Sequence, residues 1–449
     1  MSAPALPRLG ICHAPDGAAN LREVFRAARD LCVPVILVDA RVAAAHPDLV
    51  ALASRILECH VLPESDVPEA VADLVTGLGL AGVTTFHDDE LERADALDRL
   101  VRRAPAPAVA APWDKLVQRQ VLHAAGLSAV RAEAVDSPEE LHRAYAALGG
   151  SCVLKPRRAA GGRGIAFLDG WDDIAAHVAA RRVWDGMLLE TRIPAAPHPS
   201  GTPWLGSLIS VETVSAGSRR VHLGVLDKLP VAVGRHEGPD GTDAVNVQGD
   251  ILPSALPAGL LDRARELTGR VLDALEVRDR VTHTELLLTP AGLEVMEVNG
   301  RLAGHTARLF RLVGAPDPVR TALAAALGGE PNTTAAPEGT AAGLFPTFRD
   351  RTGTVRTQLR PRDLRELPGV QAVDELARDG EEKAALQYRM ANLTVRADDR
   401  PGLDHAVTRV LATLTEGFAD PAGIPDTHPD ASAAAAPGPD TTKEQPRCV

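Results

Sequence analysis

VTHTELLLTPAGLEVMEVNGRLAGH (Val281–His305) consists of two runs rich in Val, Leu and Thr around Thr289, Pro290, Ala291 and Gly292. That is the pattern of a β-hairpin with a short Gly-containing loop. With Gly292 in the left-handed position of a three-residue loop (Pro290 to Gly292), Thr289 faces Leu293, and counting outward sets Glu285 opposite Glu297. Asn299 lies two residues further along and projects from the same face. Opposed carboxylates repel and destabilise a sheet, and a divalent cation turns that liability into a binding site. Oxygen ligands from Glu285, Glu297 and Asn299, with no Cys or His pair nearby, suit magnesium rather than zinc. The alternative is an exposed hairpin face on which the acids are solvated. Arg301 favours the first reading, because it keeps the same parity and sets an anion-binding fork beside the cation, as phosphoryl transfer requires.

Composition narrows the classes. A chain of 449 residues is long enough for two or three domains with substantial cores. The 48 basic side chains against 60 acidic ones argue against general nucleic-acid affinity. Without an apolar run of about 18 residues or a charged-then-apolar N-terminus, the expectation is a soluble, cytoplasmic protein with no membrane partner. The five cysteines (Cys12, Cys32, Cys59, Cys152, Cys448) are scattered and form no CxxC, so neither a disulfide framework nor a zinc site is indicated. Only five basic residues are lysines: Lys115, Lys155, Lys228, Lys383 and Lys443. A compact ammonium binds phosphate as a point charge, which a planar guanidinium does not replace; the competing explanation is chance placement.

Working outward from the hairpin, the first hundred or so residues read as a parallel α/β domain, with strands at 8–13 and 34–39 around a helix at 20–31. The Pro/Ala-rich segment 102–112 is a connector. A helix starts near Trp113–Asp114 and is stopped by Gly126; another covers 139–148. The strand SCVLKP (151–156) leads into RRAAGGRGI, a helix follows from Trp171, and MLLE (187–190) is a further strand. Strands resume at 207–214 and 220–227, then a polar excursion at 234–250 precedes a helix at 258–275. That excursion reads either as a lid or as a disordered insertion. Residues 331–341 read as a linker to a mixed C-terminal portion, and from about 420 the Ala/Pro/Asp/Thr composition reads as a disordered tail.

Gly161, Gly162 and Gly164 follow the strand ending near Lys155, and closely spaced glycines let backbone N–H groups approach phosphate. The loop matches neither the P-loop nor the dinucleotide pattern, and alone it is equally a hairpin turn of no function. In combination the order is distinctive: Asp114-Lys115 at a helix start, VLKP with Lys155, the glycine loop, Glu190 at a strand end, Asp227-Lys228, then Glu285, Glu297, Asn299 and Arg301. This order resembles the ATP-grasp superfamily of carboxylate–amine ligases over roughly residues 1–330. The strings SLISVETVSAGSRRVHLGVLDKLP, ILPS, THTELLL and EVNGRLAG resemble most the L-amino-acid ligases, which join two amino acids into a dipeptide.

The resemblance implies an α/β (α+β) architecture in four parts. These are an N-terminal Rossmann-like domain (1–112), an ATP-grasp core (113–330, lid about 122–190), a C-terminal α+β subdomain (331–419) and the tail (420–449). It implies ATP and Mg2+ as cofactors and small-molecule amino-acid, carboxylate and amine substrates, with a homodimer as the oligomeric expectation. Lys115 and Lys155 are then expected at the α- and β-phosphates, under the loop carrying Gly161, Gly162 and Gly164. Glu190 is expected at the adenine amino group, with backbone near Arg192 and Ile193. Lys228 is expected near the γ-phosphate; Glu285, Glu297 and Asn299 hold magnesium, and Arg301 stabilises the acyl phosphate. The implied reaction is ADP-forming: an acid is activated as its acyl phosphate and captured by an amine. The chain lacks an acidic ribose-binding residue soon after Glu190, which departs from the family pattern.

Beyond Arg301, the segment LAGHTARLFRLV is expected to form a helix that sets Arg301, His305 and Arg308 on one face. Gly304 and His305 are read as part of the substrate pocket, Arg308 as solvated. Two other readings stay open here: a different ATP-grasp enzyme using bicarbonate or a side-chain carboxylate, and a non-catalytic nucleotide-binding protein.

Overall fold

The computed structural model describes residues 5–63, 68–104, 109, 112–159, 161–217, 219–234, 242–330, 337–348, 352–387 and 389–418. The predicted tail from 420, most of the linker at 331–341 and the middle of the 234–250 excursion lie outside the described residues.

The N-terminal strands are β1 (Arg8–Cys12), β2 (Val33–Asp39), β3 (Glu58–Leu62) and β4 (Gly82–Thr85). They pair in parallel in the order β3-β2-β1-β4, the parallel α/β domain expected from the sequence. Parallel pairing needs crossovers, which α1 (Leu21–Ala28), α2 (Ala40–Ala45), α3 (Pro47–Ile56) and α4 (Pro68–Gly77) supply, while α5 (Leu91–Arg102) follows β4. Asn20 starts α1 by accepting from the amides of Arg22 and Glu23, and Glu23 returns the bond to complete a capping box. Leu9, Ile11, Ile36 and Val38 are wholly buried beneath α1.

Next comes α6 (Lys115–Ala124), N-capped by Asp114 and followed by Gly126 in the left-handed region. A separate small subdomain is built from β5 (Ala132–Val135), α7 (Pro138–Leu148), β6 (Cys152–Pro156), β7 (Ala166–Leu168), α8 (Trp171–Ala180) and β8 (Met187–Thr191). Its four strands are antiparallel in the order β5-β8-β6-β7. Leu141, Leu154, Leu168 and Ile174 form its own core under the two helices.

The central strands are β9 (Leu208–Ala216), β10 (Arg219–Lys228), β11 (Ala232–Gly234), β12 (Ala244–Asn246) and β13 (Gly249–Leu252). After α9 (Ala258–Ala274) come β14 (Arg280–Thr289) and β15 (Gly292–Asn299), then α10 (Thr306–Leu312) and α11 (Pro318–Ala326). The C-terminal portion adds β16 (Thr340–Leu344), α12 (Pro361–Arg365), β17 (Val370–Leu376), β18 (Ala391–Ala397) and α13 (Arg400–Gly417). β11 and β12 pair only with each other. The remaining strands form one antiparallel sheet of eight, ordered β15-β14-β9-β10-β13-β16-β18-β17. The C-terminal strands therefore extend the central sheet through the β13–β16 pairing. Val271, Leu272, Leu286, Val295 and Val298 pack α9 against one end of this sheet, and α13 covers the other. Among the described residues no helix is long and apolar enough to cross a membrane.

Candidate active site

A cleft of about 490 Å3 lies between the small subdomain and the central sheet. Its wall includes Lys115, Lys155, Gly161, Gly162, Glu190, Arg192, Ile193, Lys228, Glu285, Glu297, Asn299, Arg301, Gly304 and His305. Residues more than 180 positions apart in sequence thus meet as expected. Gly164 is not on that wall, although it belongs to the same glycine loop.

The hairpin delivers Glu285 opposite Glu297, but by a different route from the one predicted. The loop has two residues, so Thr289 pairs with Gly292 and Leu286 with Val295; a bulge at Met296 then shifts the register by one. The bulge turns Val295 and Val298 both into the core, while Met296 and Glu297 both face the cleft. Gly300 is required next to this strand, because a Cβ there would sit 2.7 Å from the Trp113 ring. The predicted helix carrying Arg301 is also corrected: α10 begins at Thr306, and Arg301 precedes it on the turn out of β15. Asp88 of the N-terminal domain pairs with Arg301, and Leu302 O accepts from its Nη1 at 2.7 Å. Arg308 is not a bare solvated charge, for it pairs with Asp374.

The charges in the cleft alternate in sign. Lys155 Nζ lies 2.6 Å from Glu190 Oε1, and Lys115 Nζ is 3.4 Å from Glu297 Oε2. Lys228 Nζ donates to Asp250 at 2.7 Å and stands 3.9 Å from Glu285. Burial would raise the Glu297 carboxyl, but the ammonium groups of Lys115 and Lys155 outweigh it and hold it at about 2. Burial lowers Lys155 despite the nearby Glu190. Lys228 is held above its ordinary value, because Asp250 and Glu285 overcome the cost of burying it.

Sequence reading missed several members of the site. His283 is clamped between Glu212, which contacts Nδ1, and Glu285, 3.0 Å from Nε2. Burial would lower His283, but Glu212 overcomes it and raises the group to about 9. Glu212 was visible as a lone acid within the apolar run SLISVETV, and Asp250 as the last residue of the polar excursion at 234–250. Both oxygens of Glu190, assigned above to adenine, already accept from protein cations: Arg119 Nε at 2.7 Å and Lys155 Nζ at 2.6 Å. Arg192 packs over the Phe167 ring at 4.9 Å and pairs with Asp169 at 2.9 Å.

The glycine loop closes one side of the cleft. Gly161, Gly162 and Gly164 all have φ near +70° (67°, 68° and 72°), a region costly for other residues. A Cβ on Gly162 would lie 2.4 Å from Val245 O, so only glycine lets β12 approach. Lys115 Nζ donates to Ala159 O at 2.7 Å, tying the loop to α6. The described ends of the 234–250 excursion form the β11–β12 ladder, and Val245, Asn246 and Val247 line the cleft.

Glu285, Glu297 and Asn299 carry oxygen donors of the kind a hard divalent cation requires, with Glu297 held well below the usual carboxylate range by the neighbouring ammonium groups and accepting from Asn299 Nδ2 at 3.0 Å. Among the described residues no three His, Cys, Asp or Glu side chains converge as a metal cluster; here the third donor is an amide. A second cavity of about 930 Å3 adjoins the first, and the two share Gly304, His305, Gln387 and Arg389. His305 stacks on Phe345, with ring centroids 4.4 Å apart, at this junction. Asp16 and Gly17 of the N-terminal domain line the rest with Leu359, Arg365, Asp374 and Arg378 of the C-terminal portion among others.

The architecture matches solved structures over nearly its whole length. L-amino acid ligase from Bacillus licheniformis superposes with a TM-score of 0.67 at 16% identity, covering 93% of this chain and 98% of that one. The biotin carboxylase domain dimer of Hydrogenobacter thermophilus 2-oxoglutarate carboxylase, solved with MgADP, ADP and bicarbonate, gives 0.59 at 16% identity, covering 94% and 92%. This chain therefore has the ATP-grasp fold that its sequence motifs resemble. In sequence it is 30% identical over 185 residues to carnosine synthase 1 of Gallus gallus, an alignment spanning 40% of this chain and 19% of that protein. No protein-family model matches the chain.

Proposed function

We propose that this chain is an ATP-dependent carboxylate–amine ligase. It activates an amino-acid carboxylate as the acyl phosphate and transfers it to an amine, another amino acid, releasing ADP and phosphate. The observation that carries this reading is one cleft wall holding Lys115, Lys155 and Lys228 beside Glu285, Glu297 and Asn299. Three of the five lysines of an arginine-rich chain meet there.

The nucleotide base is proposed at the end of the cleft near Glu190, Arg192 and Ile193, and its phosphates under Gly161, Gly162 and Gly164 beside Lys115 and Lys155. Glu285, Glu297 and Asn299 would hold magnesium, which supplies charge neutralisation for phosphoryl transfer. Lys228, fixed by Asp250, would steady the phosphoryl group being moved. Arg301, anchored by Asp88, would supply the counter-charge that an acyl phosphate or tetrahedral species needs. The glycine loop and the β11–β12 ladder would exclude water that otherwise hydrolyses the acyl phosphate.

A bicarbonate-using carboxylase shares every one of these nucleotide contacts. The joined second cavity favours the ligase reading, since about 930 Å3 beyond His305 accommodates amino-acid-sized partners. The resemblance to a ligase for amino acids points the same way. A homodimer is proposed by analogy with the biotin carboxylase domain, and sedimentation measures it. The deciding experiment is a pairwise amino-acid screen for phosphate release, with mass spectrometry of products and a bicarbonate arm. Amide products support the ligase. Phosphate release only with bicarbonate supports the carboxylase, and tight ATP binding without turnover in any arm rejects both.

A further inference from the structure

β15 is the edge strand of the eight-stranded sheet, and among the described residues its outer side faces no other strand. An uncovered edge leaves backbone donors and acceptors unpaired. Here α6 covers it with side chains. Gln118 bridges both groups of Val298, accepting from its N–H at 3.0 Å and donating to its carbonyl at 2.8 Å. Arg119 donates to the two carbonyls at the bulge, Val295 O at 2.6 Å and Met296 O at 2.8 Å. The same guanidinium donates from Nε to Glu190 Oε2 at 2.7 Å and from Nη2 to Oε1 at 3.3 Å. Lys155 holds the other side of that carboxylate at 2.6 Å. Arg119 is buried and lines neither cavity.

We propose that Arg119 is a positioning residue that couples the two halves of the nucleotide cleft. One branch fixes the bulge that turns Glu297 toward the cleft, and the other fixes Glu190 and with it Lys155. Only a planar fork with five donors satisfies four acceptors on two elements at once; an ammonium on a flexible stem does not. Lys115 lies one helical turn earlier on α6 and faces Glu297. The start of α6 therefore sets cation ligand, phosphate lysine and glycine-loop anchor in a single frame.

This inference rests on the ligase reading for its nucleotide, and its test separates the two. Arg119→Lys keeps the charge and loses the fork. MgATP affinity, measured by titration calorimetry, is expected to fall about 10–100-fold, and adenosine, which meets only the Glu190 side of the cleft, is expected to lose clearly less than MgATP. Amide exchange in the ligand-free variant is expected to quicken at 295–298 and at 188–191 together. Equal losses for adenosine and MgATP, no loss for MgATP, or unchanged exchange would each overturn the proposal. A wild-type protein binding neither MgATP nor adenosine would reject the ligase reading, and exchange would still decide the role of Arg119. If Arg119→Lys does not fold, Arg119→Gln with the same measurements stands in for it.

Discussion

Asp227 and Lys228 are neighbours on β10, both charged and both buried, yet they serve different parts of the molecule. Strand alternation sends them to opposite faces. Asp227 accepts from Ser254 Oγ, from the Ala255 amide at 2.7 Å, from His198 Nε2 at 3.2 Å and from Arg400 at 3.2 Å. It thereby ties the proline-rich loop after β8, the turn before α9 and the start of α13 into one knot, and it lines neither cavity. Lys228 pairs with Asp250 and faces the cleft. Buried charge alone therefore does not mark a functional group. What separates the two is whether the protein already uses every direction in which the group can bond.

Substitutions on the two sides should separate activity from stability. Glu297→Ala should lower turnover by at least about 10³-fold with a cooperative melt retained; residual activity near wild type would show that the cation set is wrongly assigned. Lys228→Met leaves Asp250 buried and unpaired. It should lose about 10²-fold in turnover and about 3–5 kcal/mol in denaturant unfolding. Asp227→Asn should cost about 2–3 kcal/mol, while turnover per folded molecule stays at wild type. A drop in turnover there would erase the contrast between the two faces.

The titration of His283 sharpens it further. Its folded pKa of about 9 stands above the ordinary 6.5, so the native state holds the extra proton between these values. Its stabilisation is complete below pH 6.5 and disappears as pH rises through 9. The stability gap between the ligand-free wild type and His283→Gln should therefore close over that window. Asp227 is held below the usual carboxylate range, against the cost of burial, first by His198. Its gap to Asp227→Asn should instead close as the solution is acidified. The smallest effect belongs to Arg308→Ala at the half-exposed pair with Asp374, within about 1 kcal/mol and with unchanged KM.

Much of the site was legible because each local pattern carried its own physics. Parity along β14 and β15 brought Glu285, Glu297 and Asn299 together, while Lys115, Lys155, Glu190, Arg192, Ile193 and Lys228 followed from the resemblance to the ATP-grasp ligases. The parity argument reached the right pair, Glu285 and Glu297, through a wrong loop, because the Met296 bulge restored the register that the shorter loop had shifted. Nothing in EVMEVN signals that bulge. The groups that bond this strand, Arg119 at Val295 O and Met296 O and Gln118 at Val298, come from about 180 residues away. His283 and Glu212 went unassigned for the same reason: their pairing is cross-strand between β14 and β9, which sequence spacing does not reveal.

By itself the sequence determined the parallel N-terminal strands, the hairpin that opposes Glu285 and Glu297, and the glycine loop. Periodicity, turn chemistry and residue type are local properties and survive without a tertiary context. Tertiary structure alone decided which carboxylate each cation answers, that the C-terminal strands extend the central sheet, and that a second cavity opens past His305. Those outcomes depend on distances between segments far apart in the chain, where burial makes every unpaired charge costly and so forces one particular set of partners.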